Sequence, residues 1–190
     1  MRASKETMGT AAAHHKKLPL LFMTCLSLTI IAVMTFWQLK DAGFINIDDD
    51  IYVYKNVQVQ SALSWDGIKH AFAAELVAKS ANWHPVTWLS LMLDRQIFGL
   101  NPRGYHLVNL LFHVIATLLL FLVFHRMTDM LWRSAFVAAL FAVHPLHVES
   151  VAWVAERKDV LSACFWMLTM GAYVYYVEQP GWRRYALVLL

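Results

Sequence analysis

Four stretches of this chain are apolar enough to be read as membrane crossings: residues 18–39, 104–125, 134–148 and 160–177. A helix rises about 1.5 Å per residue, so roughly 20 residues cross about 30 Å of hydrocarbon. The first stretch is uncharged throughout and longer than the ~7–15-residue apolar region of a cleaved signal. No small-x-small cleavage site stands near Lys40, so an uncleaved anchor is expected. The third stretch is short and carries Pro145, which suits a span buried among its neighbours. The closing "RRYALVLL" reads as the start of a fifth span at residues 185–190. A helix halted there would leave carbonyls unsatisfied in lipid, so a truncated membrane domain, 18–190, is the expectation.

Between the first two spans lies a connection, residues 40–103, too long to be a bare linker. Trp65, Ile68, Ala71 and Phe72 recur at helical spacing, and Pro85 can open a second helix carrying Trp88, Leu89, Met92 and Leu93. Helices this rich in Trp are expected to lie along the membrane interface, where the aromatics serve as anchors and core. The predicted fold class is therefore all-α: a polytopic membrane helix bundle with interfacial helices in its first long loop.

Composition agrees with this. The chain is 59% hydrophobic and 15% charged, with a mean hydropathy of +0.47. A soluble domain has about 45–50% and 25%. Cys25 and Cys164 lie inside apolar runs and read as packing residues. The net charge is only +3 and the basic residues cluster at segment ends, which argues against a nucleic-acid partner. If all four segments cross, Arg2, Lys5, Lys16 and Lys17, then Arg126 and Arg133, then Arg183 and Arg184 fall on one side. By the positive-inside tendency that side is the cytoplasm, and it holds the N-terminal tail, residues 1–17. The chain would be a multi-pass protein of a bacterial inner membrane or the endoplasmic reticulum.

Two charged groups then share the opposite side. "NIDDDIYVYKN" places Asp48, Asp49 and Asp50 directly after the first span. Adjacent carboxylates near a low-dielectric surface raise one another's pKa, which suits a general base or a cation site; a solvated capping turn is the alternative. "HPLHVESVAWVAERKD" joins the third and fourth spans. One helix beginning near Val148 would set Glu149 and Glu156 on a common face, with Arg157 and Lys158 one step round and Asp159 at the mouth of the last span. A salt-bridged linker would account for these charges. Their position suggests more: a phosphate-bearing amphiphile could use the cations for phosphate and the carboxylates for chemistry. His106, His113, His144 and His147 have spacings that haem or metal ligands can use, but they read better as core or lining residues.

"DDDIYVYKNVQV", "NWHPVTWLSLMLDRQIFGLNPRGYHLVNLLFHVIATLLLF" and "WRSAFVAALFAVHPLHVESVAWVAERKD" resemble the membrane half of the transmembrane and tetratricopeptide-repeat proteins. These are relatives of protein O-mannosyltransferases in the GT-C glycosyltransferase superfamily. The resemblance covers residues 44–184. It implies a GT-C-type bundle, a polyprenyl-phosphate sugar as donor, a protein hydroxyl as acceptor, surrounding membrane lipid and no assigned metal or other cofactor. The family pattern of two acids, two residues and a Tyr falls on Asp48, Asp49 and Tyr52, which implies that Asp48 or Asp49 is the catalytic base. Asp50 stands where the family often has Pro. Glu149, Arg157, Lys158 and Asp159 stand at matching positions and, with His147, are implied to bind donor phosphate and acceptor. The family's remaining spans and repeat array are missing, so the chain alone is expected to be inactive. A non-catalytic membrane anchor for a repeat array is the alternative reading.

Overall fold

The structure, a computed structural model, describes the backbone of residues 2–73 and 83–189, with side chains from Leu18 onward. It is 82% helical, with no strand among the described residues. The first element, α1 (Arg2–Phe36), continues into a 3-10 turn at Trp37–Asp41. A loop with a π turn at Asp50–Tyr54 leads to α2 (Val57–Gln60) and α3 (Trp65–Phe72). Next come α4 (Pro85–Phe98), α5 (Pro102–Thr128) and α6 (Leu131–Val143). The chain then forms α7 (His147–Ala152), a 3-10 turn at Val154–Glu156, α8 (Arg157–Glu178) and α9 (Trp182–Val188). Of the expected long loop, residues 74–82 lie outside the described residues, as does Leu190 of the expected fifth span.

Local chemistry accounts for the boundaries. Asn56 accepts from the amides of Gln58 and Val59 at 3.1 and 3.2 Å, and Ser64 accepts from Gly67 at 3.0 Å, satisfying donors at the starts of α2 and α3. Pro85 and Pro102 occupy the first positions of α4 and α5, where a missing N–H costs nothing. Gly99 ends α4 at φ 64°, and Asp129 ends α5 at φ 52°. Gly104 is required by contact: a Cβ there would overlap the Phe98 ring.

Three segments are long and apolar enough to cross a membrane: Leu18–Asp41, Pro102–Thr128 and Val154–Glu178. The expected third span, 134–148, is not one helix. It ends at Val143 because Pro145 holds His144 in an extended conformation, φ −66° and ψ 130°. At 13 residues, α6 is a shorter apolar helix of about 20 Å. Nor do Glu149 and Glu156 share a helical face: Trp153, at φ −91° and ψ 121°, separates α7 from the turn that leads into α8.

The most buried helix, α5, packs against α1, α6 and α8. Ala32, Phe36, Leu110, Val114, Ala142, Val151 and Val160 form the core at one end, and Leu28, Phe121 and Ala138 continue it toward the other. Alanines at the helix contacts let the backbones approach closely, the packing that association in lipid favours. A separate core of Tyr52, Val53, Val59, Ala71, Trp88, Leu91, Met92 and Tyr105 binds the small helices into a cap. Within that cap Trp88 and Met92 are buried, whereas Trp65 and Phe72 face outward. The starts of α5 and α8 pack against α4 of this cap, which marks the loop end of the bundle. The tight connection from α5 to α6 marks the opposite, turn end.

Candidate functional site

Two chain segments 106 residues apart are joined at the loop end. Asp49 is completely buried, and its carboxylate accepts the amide of Ile45 at 2.8 Å and that of Ala155 at 2.9 Å. The indole of Trp153 donates to the Ile47 carbonyl at 3.0 Å. Burial pushes the Asp49 carboxyl up from its usual range, and the two amides oppose that shift.

The three consecutive aspartates thereby acquire three different environments. Asp48 is exposed, in the left-handed region at φ 67°, with its carbonyl accepting the amide of Tyr52 at 2.8 Å. Asp makes that conformation at modest cost. Among the described residues its carboxylate makes no side-chain hydrogen bond. Asp50 pairs with Lys55 at 2.9 Å, and that lysine holds its carboxyl below the usual range. Of the expected bases, Asp48 is presented to the outside, while Asp49 is inside the fold holding the loop that presents it.

Arg157 is equally buried, with 0% of its surface exposed. Its guanidinium donates to Asp94 at 2.6 Å, Ser90 at 2.7 Å, the Tyr105 carbonyl at 3.0 Å and the Asn109 side-chain oxygen. Asn109 donates onward to the carbonyls of Val151 at 3.2 Å and Trp153 at 3.0 Å. Burial pushes Asp94 up, with Arg157 opposing. Sequence reasoning placed Arg157 against a ligand phosphate; here it ties α4, α5 and α8 together. Asp94, Ser90 and Tyr105 were not anticipated. A lone acid in an apolar helix was the available signal for Asp94, since such a charge needs a partner. Asn109 pairs with Arg157 and not with His106, which instead bonds the Gly43 carbonyl at 3.3 Å.

The remaining expected residues border clefts. Lys158 pairs with Glu156 at 2.7 Å and lies 5.8 Å from the Tyr52 ring centre. Asp159 is exposed and accepts from Ser150 at 3.0 Å. With His113, His147 and Trp166, both line a cleft of about 300 Å³. Burial and His144 hold the His147 imidazole below its usual range. His113 itself is engaged with the Ala142 carbonyl at 3.1 Å. Glu149 is exposed on a smaller cleft of about 210 Å³, beside Ile45, Ile47 and Trp153. Among the described residues, no three His, Cys, Asp or Glu side chains converge as a metal cluster.

No family model matches the chain, and no solved structure does. Curated relatives do. Protein O-mannosyl-transferase Tmtc2 of Drosophila melanogaster is 32% identical over 166 residues, covering 85% of this chain and 17% of its own length. Tmtc1 of the same organism is 30% identical, covering 84% of this chain and 19% of its own. Protein O-mannosyl-transferase TMTC2 of Homo sapiens is 38% identical over 53% of this chain and 12% of its own length. The chain is a homologue of the TMTC family of protein O-mannosyl-transferases. It spans less than a fifth of the length of each of these relatives.

For a TMTC homologue, the arrangement separates support from contact. Asp49 and Arg157 hold the two loop-end segments against the bundle, and Asp48, Glu149, Lys158 and Asp159 remain at surfaces and cleft walls. A carboxylate on a rigidly tied loop can accept a proton; an ammonium at a cleft wall can meet an anion.

Proposed function

We propose that this bundle contributes the acceptor-activating loop of a membrane glycosyltransferase, moving a mannose-type sugar from a polyprenyl-phosphate donor to a protein Ser or Thr hydroxyl. The reaction would take place on the non-cytoplasmic face. Asp48 takes the hydroxyl proton as the oxygen attacks the anomeric carbon, and the bond from that carbon to phosphate oxygen breaks with its electron pair leaving on the phosphate. The sugar is inverted. The observation that carries the reading is the exposed Asp48 carboxylate on a loop fixed from behind by Asp49. The relatives' name, protein O-mannosyl-transferase, supports the choice of sugar and acceptor. Glu149, His147 and Asp159, each lining a cleft, are the groups available to orient the acceptor or the sugar hydroxyls.

The test is transfer of radiolabelled sugar from a polyprenyl-phosphate donor in membranes carrying this segment within its complete reading frame. Asp48→Asn is expected to lower transfer by about 10²–10⁴-fold, the usual contribution of a general base. Transfer unchanged in that variant would sink the assignment. A second reading, a non-catalytic anchoring domain, draws on the use of Arg157 and Asp49 as internal ties. It predicts no transfer from any donor and no effect of Asp48→Asn.

A further inference from the structure

The short helix α7 separates two clefts. His147 and Ser150, at i and i+3, border the Asp159 cleft, whereas Val148, Glu149 and Ala152 lie on the opposite side of the helix and border the smaller recess of about 210 Å³. The recess is completed by Ile45 and Ile47 of the Asp48 loop and by Trp153. Its lining is aliphatic or aromatic but for Glu149. Two hydrogen bonds hold the loop side in place: the Ile45 amide donates to Asp49 at 2.8 Å, and the Trp153 indole donates to the Ile47 carbonyl at 3.0 Å. The aliphatic side chains so fixed are nevertheless open, with Ile45, Ile47 and Val148 exposed by 44, 63 and 50%. A rigid apolar patch beside charged groups marks a contact surface.

Size and charge narrow the occupant. A site that encloses a whole small molecule has roughly 300–1,000 Å³, so this recess has room for part of one. No hydroxyl, side-chain amide or cation lines it to hold a sugar or a phosphate, and a phosphate would meet the Glu149 carboxylate. An aliphatic side chain fits, on a molecule whose N–H groups or cations can meet Glu149. A polypeptide has both. Position narrows it further: Ile47 immediately precedes Asp48, so the recess begins about 3.8 Å along the backbone from the residue that presents its carboxylate. An extended polypeptide advances about 3.3 Å per residue and returns to the same face at every second one. A chain with its hydroxyl at Asp48 would therefore bring a residue within three positions of that hydroxyl to the recess.

We propose that the recess is an acceptor subsite: it takes an aliphatic side chain of the polypeptide whose Ser or Thr meets Asp48, and Glu149 at its rim turns away acidic neighbours. The subsite rests on the transferase reading and adds to it a preference in the acceptor sequence.

The experiment uses membranes carrying the segment within its complete reading frame and Gly-rich peptides with a single Thr, in which Leu, Asp or Gly is moved through the three positions on either side. At one position Leu is expected to raise kcat/KM about tenfold over Gly, the usual discrimination of a small apolar pocket, and Asp to lower it. Val148→Asn should bring the ratio of Leu to Gly close to one, and Glu149→Gln should narrow the penalty for Asp. Leu146→Asn, at a side chain 79% exposed but outside the lining, should keep the Leu preference. A diazirine analogue of Leu, placed at each position in turn, should label Ile45, Ile47 or Val148 on illumination. Equal transfer to the Leu, Gly and Asp peptides at every position would overturn the proposal, as would a Leu preference that survives Val148→Asn. Label found only on lipid or on another part of the protein would also overturn it, by showing that something else covers the recess. Label in the recess while no peptide receives sugar leaves the peptide subsite standing and the transferase reading failed. Transfer lost in Asp48→Asn with unchanged labelling supports both.

Discussion

At the turn end of the bundle, Arg126 donates to both oxygens of Glu178 at 2.7 and 2.5 Å, joining α5 to α8, yet both side chains are about half exposed. At the loop end, Arg157 joins the same two helices, and α4 as well, through four acceptors in a setting closed to solvent. The same residue type thus has two different consequences. Water screens the first pair and would replace it if it broke. In the second, every donor satisfied is one that water cannot reach, so removing any partner strands a charge or a polar atom. The bundle is open to adjustment at one end and fixed at the other, and the fixed end carries Asp48, Asp159 and the cleft that Asp159 lines. Supporting groups that lock the contact groups in place are what a chemical site requires.

The largest effect should come from splitting the buried pair. Arg157→Met leaves Asp94 buried without its cation, and Asp94→Leu leaves Arg157 without its anion. Each is expected to cost about 3–5 kcal/mol. The double substitution should recover part of that loss, because neither charge is then stranded. Thermal unfolding in detergent checks the order. A double mutant no more stable than either single one would show that these side chains do not act as a coupled pair.

Next in size is Asp49. Asp49→Ala removes the acceptor for two amides, one of them the buried Ala155 N–H, and should cost about 1–3 kcal/mol. Faster hydrogen exchange at the Ile45 and Ala155 amides would locate the change. Asp48→Asn alters the neighbouring residue and should leave stability and exchange unaffected, since Asn tolerates the left-handed backbone as well as Asp does. If both substitutions destabilise alike, the division between a holding and a presenting carboxylate is wrong.

Most of the secondary structure was legible in the sequence, because uncharged runs, Pro at helix starts and Asn or Ser caps act locally. The chain's membership among TMTC homologues was legible too, in the long motif around Glu149 to Asp159. The exceptions were the third span, where the sum of apolar residues outweighed the local effect of Pro145 on His144, and the single helix expected from Val148 through Glu156, which Trp153 interrupts. What a charge does once folded was not legible. Asp48 and Asp49 are identical neighbours, and only the approach of Ala155, far along the chain, makes one internal and leaves the other outside. Arg157 and Lys158 divide similarly, because Asp94 and Asn109 converge on one and not on the other. Such distinctions depend on non-local contacts that no spacing rule encodes.

The smallest effect belongs to the turn end, and it tests whether position or residue type matters. Arg126→Gln with Glu178→Gln removes a bidentate contact whose geometry is at least as good as that of Arg157 with Asp94. If hydrogen-bond distance determined worth, the two pairs would count alike. Exposed pairs contribute little, because each partner regains water when released and salt screens the attraction. The expected change in melting temperature is therefore less than about 2 °C, and it should shrink further at high salt. A shift as large as that of Arg157→Met would mean that the turn end is as rigidly held as the loop end, and that solvent exclusion is not what distinguishes them.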